Sequence, residues 1–154
     1  VSDDPGHAPP ASPSPPGGVR RSGGAASTWR FALLAHDCPT PGFPNPHFDL
    51  LIEDPALLPT QGPGERRCRT WRLHADPRAG SPVRCEPIAP HRAFYLDYEG
   101  PVSGARGTVT RLDGGTVVWE SGVFPGEGPA VIVLNGERLV GRWRADERCF
   151  SPLP

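Results

Sequence analysis

Glycine and proline interrupt this chain too often for a long helix to form. Of its 154 residues, 22 are proline and 19 are glycine, and a proline inside a helix removes a hydrogen bond and clashes with the preceding turn. From residue 29 onward, short apolar runs alternate with turn residues, which is the pattern of β-strands. "WRFALLAHD" (29–37) and "HFDLLIE" (47–53) are apolar enough to be strands. "TWRLHA" (70–75) alternates Trp71, Leu73 and Ala75 against Arg72 and His74, and "RAFYLDYEG" (92–100) places Phe94, Leu96 and Tyr98 on one face. "GTVTRLDGGTVVWESG" (107–122) reads as a hairpin turning at Leu-Asp-Gly-Gly, and "PAVIVLNGERLVGRWRAD" (129–146) as a second turning at Asn-Gly-Glu. "PALLPTQGPGE" has room for one helical turn at most. The expected fold is mainly all-β: a small closed or partly open β-barrel with short helical turns, closure removing exposed strand edges.

Composition divides the chain in two. Residues 1–28 contain almost no large apolar side chain, so they cannot bury enough surface to offset ordering and are expected to form a disordered tail. They also lack the apolar stretch of a secretion signal. Residues 29–150 are expected to form one barrel domain, with no internal repeat and no membrane-spanning segment. The four cysteines, Cys38, Cys68, Cys85 and Cys149, form no Cys-x-x-Cys pair, which argues against structural zinc and for free thiols in a reducing, cytoplasmic compartment. All 16 basic residues are arginine, and net charge is -1. No global field attracts a polyanion, so nucleic-acid binding would depend on local patches: Arg66, Arg67, Arg69 and Arg72 beside Trp71, and Arg142 with Arg144. Trp71 and Trp143 themselves read as core residues.

The stretch "HDCPTPGFPNPHFDLLIE" (36–53) asks for more than a turn. Proline, glycine and asparagine suffice to reverse a chain; His36, Asp37, His47 and Asp49 are not needed for that. Side chains alternate faces along a strand. In the second strand His47, Asp49, Leu51 and Glu53 therefore share one face, and Phe48, Leu50 and Ile52 take the other. His36 shares a face with Leu34 and Ala32. In "HRAFYLDYEG" (91–100) His91 and Tyr95 share a face, continued by Asp97 and Glu99. Converging, these strands would gather His36, His47 and Asp49 with His91 and Tyr95 alongside. Two imidazoles and a carboxylate leave coordination positions open on a divalent ion such as Mn, Zn or Fe(II). His7 and His74 read as surface or satisfied core residues.

The ordered series "RFALLAHD", "HFDLLIE", "TWRL" and "HRAFYLDYEGPVSGARGTVTRLDGG" resembles the 3′-phosphoesterase domain of bacterial DNA ligase D, and more closely its small stand-alone relatives. The resemblance covers about residues 29–146. It implies a small β-barrel with a manganese-type metal in a crescent groove. It also implies removal of a 3′-phosphate or 3′-ribonucleotide from DNA in repair. Carried over by motif, His36, His47 and Asp49 are metal ligands, His91 contacts the scissile phosphate, Tyr95 sits beside it, and Glu53 matches the family's glutamate at the strand end. The implied partners are DNA or RNA/DNA 3′ ends, with ligase, polymerase or end-binding repair proteins acting in trans, and a nucleoid-associated monomer. Leu51 and Leu34 stand where the family carries arginine and glutamine. A phosphate needs positive charge opposite it; Arg106, flanked by Gly104 and Gly107, is the preferred replacement, while Arg92 is expected to point away. The two leucines also motivate an alternative: a catalytically inactive end-binding module of the same fold. A third reading is a phosphoesterase for a small nucleotide.

Overall fold

In a computed structural model, the structure describes residues 29–54, 67–122 and 129–154. The tail expected over 1–28, the turn expected in "PALLPTQGPGE", and His7 and Arg66 lie outside the described residues. The strands are β1 (Trp29–Asp37), β2 (His47–Glu53), β3 (Arg67–Leu73), β4 (Val83–Arg92), β5 (Gly100–Pro101), β6 (Thr108–Gly122), β7 (Ala130–Asn135), β8 (Val140–Ala145) and β9 (Cys149–Pro152). Hydrogen bonding runs β1-β2-β3-β4-β9-β8-β7-β6, and β6 returns to β1. Eight strands thus close an antiparallel barrel, with the short β5 added beside β6.

Alternation decides what fills it. Phe31, Leu33, Leu50, Ile52, Trp71, Leu73, Ile132, Leu134 and Phe150 are buried together inside. Trp143 stacks on Phe150 with ring centroids 4.6 Å apart. Each such aliphatic side chain contributes about 1.5–3 kcal/mol by leaving water. The intervening residues of β1 and β2 point outward, yet Ala32, Leu34 and Leu51 are also buried. They form a second cluster outside the barrel wall with Cys68, Leu96 and Val109. The cover comes from a 3₁₀ turn, Ala93–Leu96, which follows β4 and lays Ala93, Tyr95 and Leu96 over these strands.

Two expected elements differ. Residues 92–100 do not form a strand. The strand is β4, one step earlier, and it contains Pro87 and Pro90. Beyond Cys85, whose N–H still reaches the Arg148 carbonyl, the edge of β4 facing β9 has no strand partner among the described residues, so missing N–H groups cost nothing there. Likewise, Leu-Asp-Gly-Gly is not a turn. It lies within β6, a single strand of 15 residues that pairs with β1 along Thr108–Val117 and with β7 along Thr116–Gly122. The glycines serve close approach: a Cβ on Gly115 would lie 2.1 Å from the Asn135 carbonyl oxygen, and one on Gly114 would lie 2.0 Å from the Arg111 guanidinium. Glycine at such a point marks a bend in a barrel strand as readily as a reversal. The second expected hairpin is present, with β7 and β8 joined through Gly136–Leu139.

Candidate metal centre

The centre lies on the outer face of the barrel, where β1 and β2 end together. His36 is directly opposite His47 across the β1–β2 ladder, and Asp49 faces Leu34 on one side and Arg72 of β3 on the other. Register alone therefore places two imidazoles, a carboxylate and a guanidinium on one patch. One ligand atom from each of His36, His47 and Asp49 lies within 4.8 Å of the others. His36 Nδ1 is 3.6 Å and His47 Nε2 is 3.8 Å from Asp49 Oδ2. These separations are too long for hydrogen bonds. They are close to the roughly 3.4 Å between donors on a tetrahedral ion with ~2.1 Å bonds.

Each donor has a defined state. His36 Nε2 lies 2.7 Å from the Arg106 carbonyl oxygen, so Nε2–H donates there, and in the neutral ring the Nδ1 lone pair is turned towards Asp49. A carbonyl that fixes the tautomer of a ligating histidine is a common metal-site arrangement. The adjoining Asp49 carboxylate raises the pKa of His36. His47 is fully buried, and neither of its ring nitrogens has a hydrogen-bond partner. Burial lowers its pKa to about 4, so at neutral pH it is an uncharged imidazole with both nitrogens orphaned. An orphaned polar group of this kind costs about 1–3 kcal/mol, and a cation between the three donors would satisfy Nε2, the nitrogen turned towards Asp49. Burial pushes the Asp49 carboxyl up, but His36 and Arg72 beside it more than offset that and hold it at about 2. The residues present therefore fit a divalent ion with two nitrogen donors and one oxygen donor.

Surrounding residues complete a groove of about 390 Å³. Arg72 Nε donates to Asp49 Oδ1 at 3.0 Å. Its terminal N–H groups have no partner among the described residues, and its side chain lines the groove. Phe43, from the proline-rich β1–β2 loop, packs 5.9 Å from the His47 ring, with the Arg72 guanidinium 5.3 Å from its centroid. That loop thus closes the back of the centre. His91 and Tyr95 both line the groove, with ring centroids 6.4 Å apart. His91 Nδ1 is bound to the Ala89 carbonyl oxygen at 2.9 Å, leaving Nε2 for a ligand.

The other expected residues divide. Arg106 lines the groove, but its guanidinium donates to Ser103 O at 2.8 Å and its contact with His36 is made by the backbone. Gly107 does not admit a ligand. With φ +78 and a would-be Cβ 2.0 Å from the Asp37 carbonyl oxygen, it lets the 102–107 turn abut β1. Arg92 was expected to point away, yet it lines the groove together with His91; it ends β4 just past an irregularity in the β3–β4 register and leads into the 93–96 turn. Glu53 lies four residues beyond Asp49, ~13 Å along the strand. It is absent from the groove, and its carboxylate accepts the backbone N–H of Arg30 at 2.9 Å. Asp97 and Glu99 do not continue the site either: Asp97 pairs with Arg30 and Glu99 accepts the Arg111 N–H. His74 stacks on Phe43 at 4.7 Å. Trp71 and Trp143 are core residues.

Besides Arg72, three arginines of the two expected patches are ion-paired. Arg69 pairs with Asp54, Arg142 with Glu120, and Arg144 with Asp146. Sequence reasoning named Arg72 only in such a patch and passed over Phe43; the sole available signal was one aromatic residue in an otherwise proline-rich loop. All four cysteines are free, and no helix among the described residues is long and apolar enough to cross a membrane. No protein-family model matches the chain, and no curated protein matches it either.

Proposed function

We propose that this protein is a divalent-metal-dependent phosphoesterase acting on 3′-phosphate or 3′-ribonucleotide ends of DNA. The observation that carries the reading is the buried, uncharged His47 ring, unpartnered and aimed with His36 Nδ1 at one oxygen of Asp49. The ligase D-type resemblance favours manganese, and the donor set also suits zinc. A divalent ion held by His36, His47 and Asp49 supplies a Lewis acid for a phosphoryl oxygen and lowers the pKa of bound water. Arg72 holds Asp49 by Nε and turns its remaining N–H groups to the groove, where they meet the charge on a phosphate. It takes the place left by Leu51, which is buried under the 93–96 turn. His91 Nε2 and the Tyr95 hydroxyl are positioned to hydrogen-bond phosphoryl oxygens as charge develops. Arg106 acts through its carbonyl, fixing the His36 tautomer. Repair enzymes acting on the same ends, and a nucleoid location, follow from this proposal.

The test is direct. Purified protein with Mn²⁺ should convert a 3′-phosphate or 3′-ribonucleotide primer into a 3′-hydroxyl product, and His47→Ala should not. End binding with no turnover under Mn²⁺, Zn²⁺ or Fe²⁺ would instead make the chain an end-binding module. Turnover confined to mononucleotides, with little salt dependence, would shift the substrate from polymer to small nucleotide.

A further inference from the structure

We propose that Phe94 is a stacking surface for a single unpaired nucleobase at the 3′ end. The inference rests on the phosphoesterase reading and names the form of nucleic acid that the groove accepts. Phe94 is 37% exposed, and it is the one exposed aromatic side chain among the described residues. Anchoring does not require it, since Leu96 and Ala93 pack the 93–96 turn onto the barrel wall.

Its surroundings hold the ring in place from one side only. Tyr98 lies against it with centroids 4.9 Å apart and a 36° tilt, and Tyr95 meets it edge-on at 5.3 Å and 68°. Tyr98 is itself fixed through its hydroxyl, which donates to the Pro101 carbonyl. The segment is tied to two strands: Arg111 Nε donates to Leu96 O at 2.9 Å, and Asp97 pairs with Arg30 of β1. A pre-ordered ring gives up little conformational freedom when a ligand covers it.

Position identifies the occupant. Tyr95 touches Phe94 and also lines the groove with His91, so the ledge continues the wall that faces the metal centre. Two residues before Phe94, Arg92 lines the same groove, and its side chain makes no hydrogen bond or ion pair among the described residues. Aromatic rings together with cations along one groove are the combination that binds single-stranded nucleic acid: the base stacks and the cation follows the phosphates. Phe94 offers a single exposed ring, and one ring stacks one base.

The probe is a single-stranded oligonucleotide with a 3′-phosphate and 2-aminopurine as its terminal base. Binding to the full chain should quench the 2-aminopurine. Phe94→Leu, which keeps an apolar side chain but removes the ring, should abolish the quench and weaken binding about tenfold. Far-ultraviolet circular dichroism and thermal unfolding would check that Phe94→Leu stays folded. Tight binding with no quench, equal quenching in Phe94→Leu, or equal quenching with the same end in a blunt duplex would each overturn the proposal and leave the phosphoesterase reading standing. No binding of any oligonucleotide, together with no turnover, would overturn both.

Discussion

Asp49 and Asp113 are both almost fully buried, at 2% and 3% exposure, and lie in two differently built parts of the barrel. Around Asp113 every demand is met. Its Oδ1 accepts the N–H groups of Gly114 and Glu137, and its Oδ2 those of Arg138 and Leu139, all between 2.7 and 2.9 Å. One carboxylate thus ties the bend of β6 to the β7–β8 turn. Burial raises its pKa, but the four N–H bonds outweigh that and lower it. Around Asp49 one oxygen is held by Arg72, while the other is shared with two imidazoles at distances too long to bond. The first region is a closed polar network, which adds rigidity. The second keeps a buried ring without hydrogen-bond partners, a local cost that the metal proposal accounts for.

This contrast can be broken most forcefully at Asp113. Asp113→Ala should orphan several N–H donors and cost about 4 kcal/mol, read as a lowered urea midpoint. Asp113→Asn should retain part of that, since one oxygen still accepts. A loss under ~1 kcal/mol would mean that water replaces the carboxylate and the region is not closed.

Acid separates the regions next. His47 has its folded pKa lowered to about 4, below the usual 6.5, so the unfolded chain takes up a proton first. Metal-free protein should therefore lose stability as pH falls below 6.5, by up to about 3 kcal/mol near pH 4. His36 works the other way, because its raised pKa favours the folded state at low pH. The Asp49 contribution disappears later, between 3.8 and about 2. Urea titrations in EDTA from pH 7 to 4 would measure the slope, and in His47→Leu it should flatten.

The same variant gives a smaller effect of opposite sign. Without metal at pH 7, His47→Leu should be about 1–2 kcal/mol more stable than the native chain, since an apolar side chain replaces an orphaned ring. It should also lose the rise in Tm that Mn²⁺ or Zn²⁺ gives the native protein. Equal or lower stability would argue that His47 is satisfied without an ion. The smallest change is expected from Arg106→Ala. The contact to His36 is made by the backbone, so stability should stay within ~0.5 kcal/mol and metal affinity, measured by calorimetry, within about twofold.

What the sequence revealed follows from how far each signal reaches. The β7–β8 hairpin depends on a tight turn and the shared face of His47 and Asp49 on period-two alternation, both local and both legible. Asp-Gly-Gly misled because glycine signals a reversal and a close backbone approach alike, and only the position of Asn135 distinguishes them. Pro87 and Pro90 concealed β4 because its unpaired edge cannot be known before the strand order is. Arg72 escaped for a related reason: it joins the site by facing Asp49 across the β2–β3 ladder, and cross-strand register is not written in either strand alone.

The three donors all come from one antiparallel hairpin, His36 from its first strand and His47 and Asp49 from its second. Their meeting therefore requires only one loop, residues 38–46, to close, at a small entropic toll. The rest of the barrel contributes dryness, the Arg72 clamp and the Arg106 carbonyl. Grafted onto another sheet, this cassette would carry its donor geometry along but not its affinity, and the difference between graft and parent would measure how much of a metal's grip comes from the shell around its ligands.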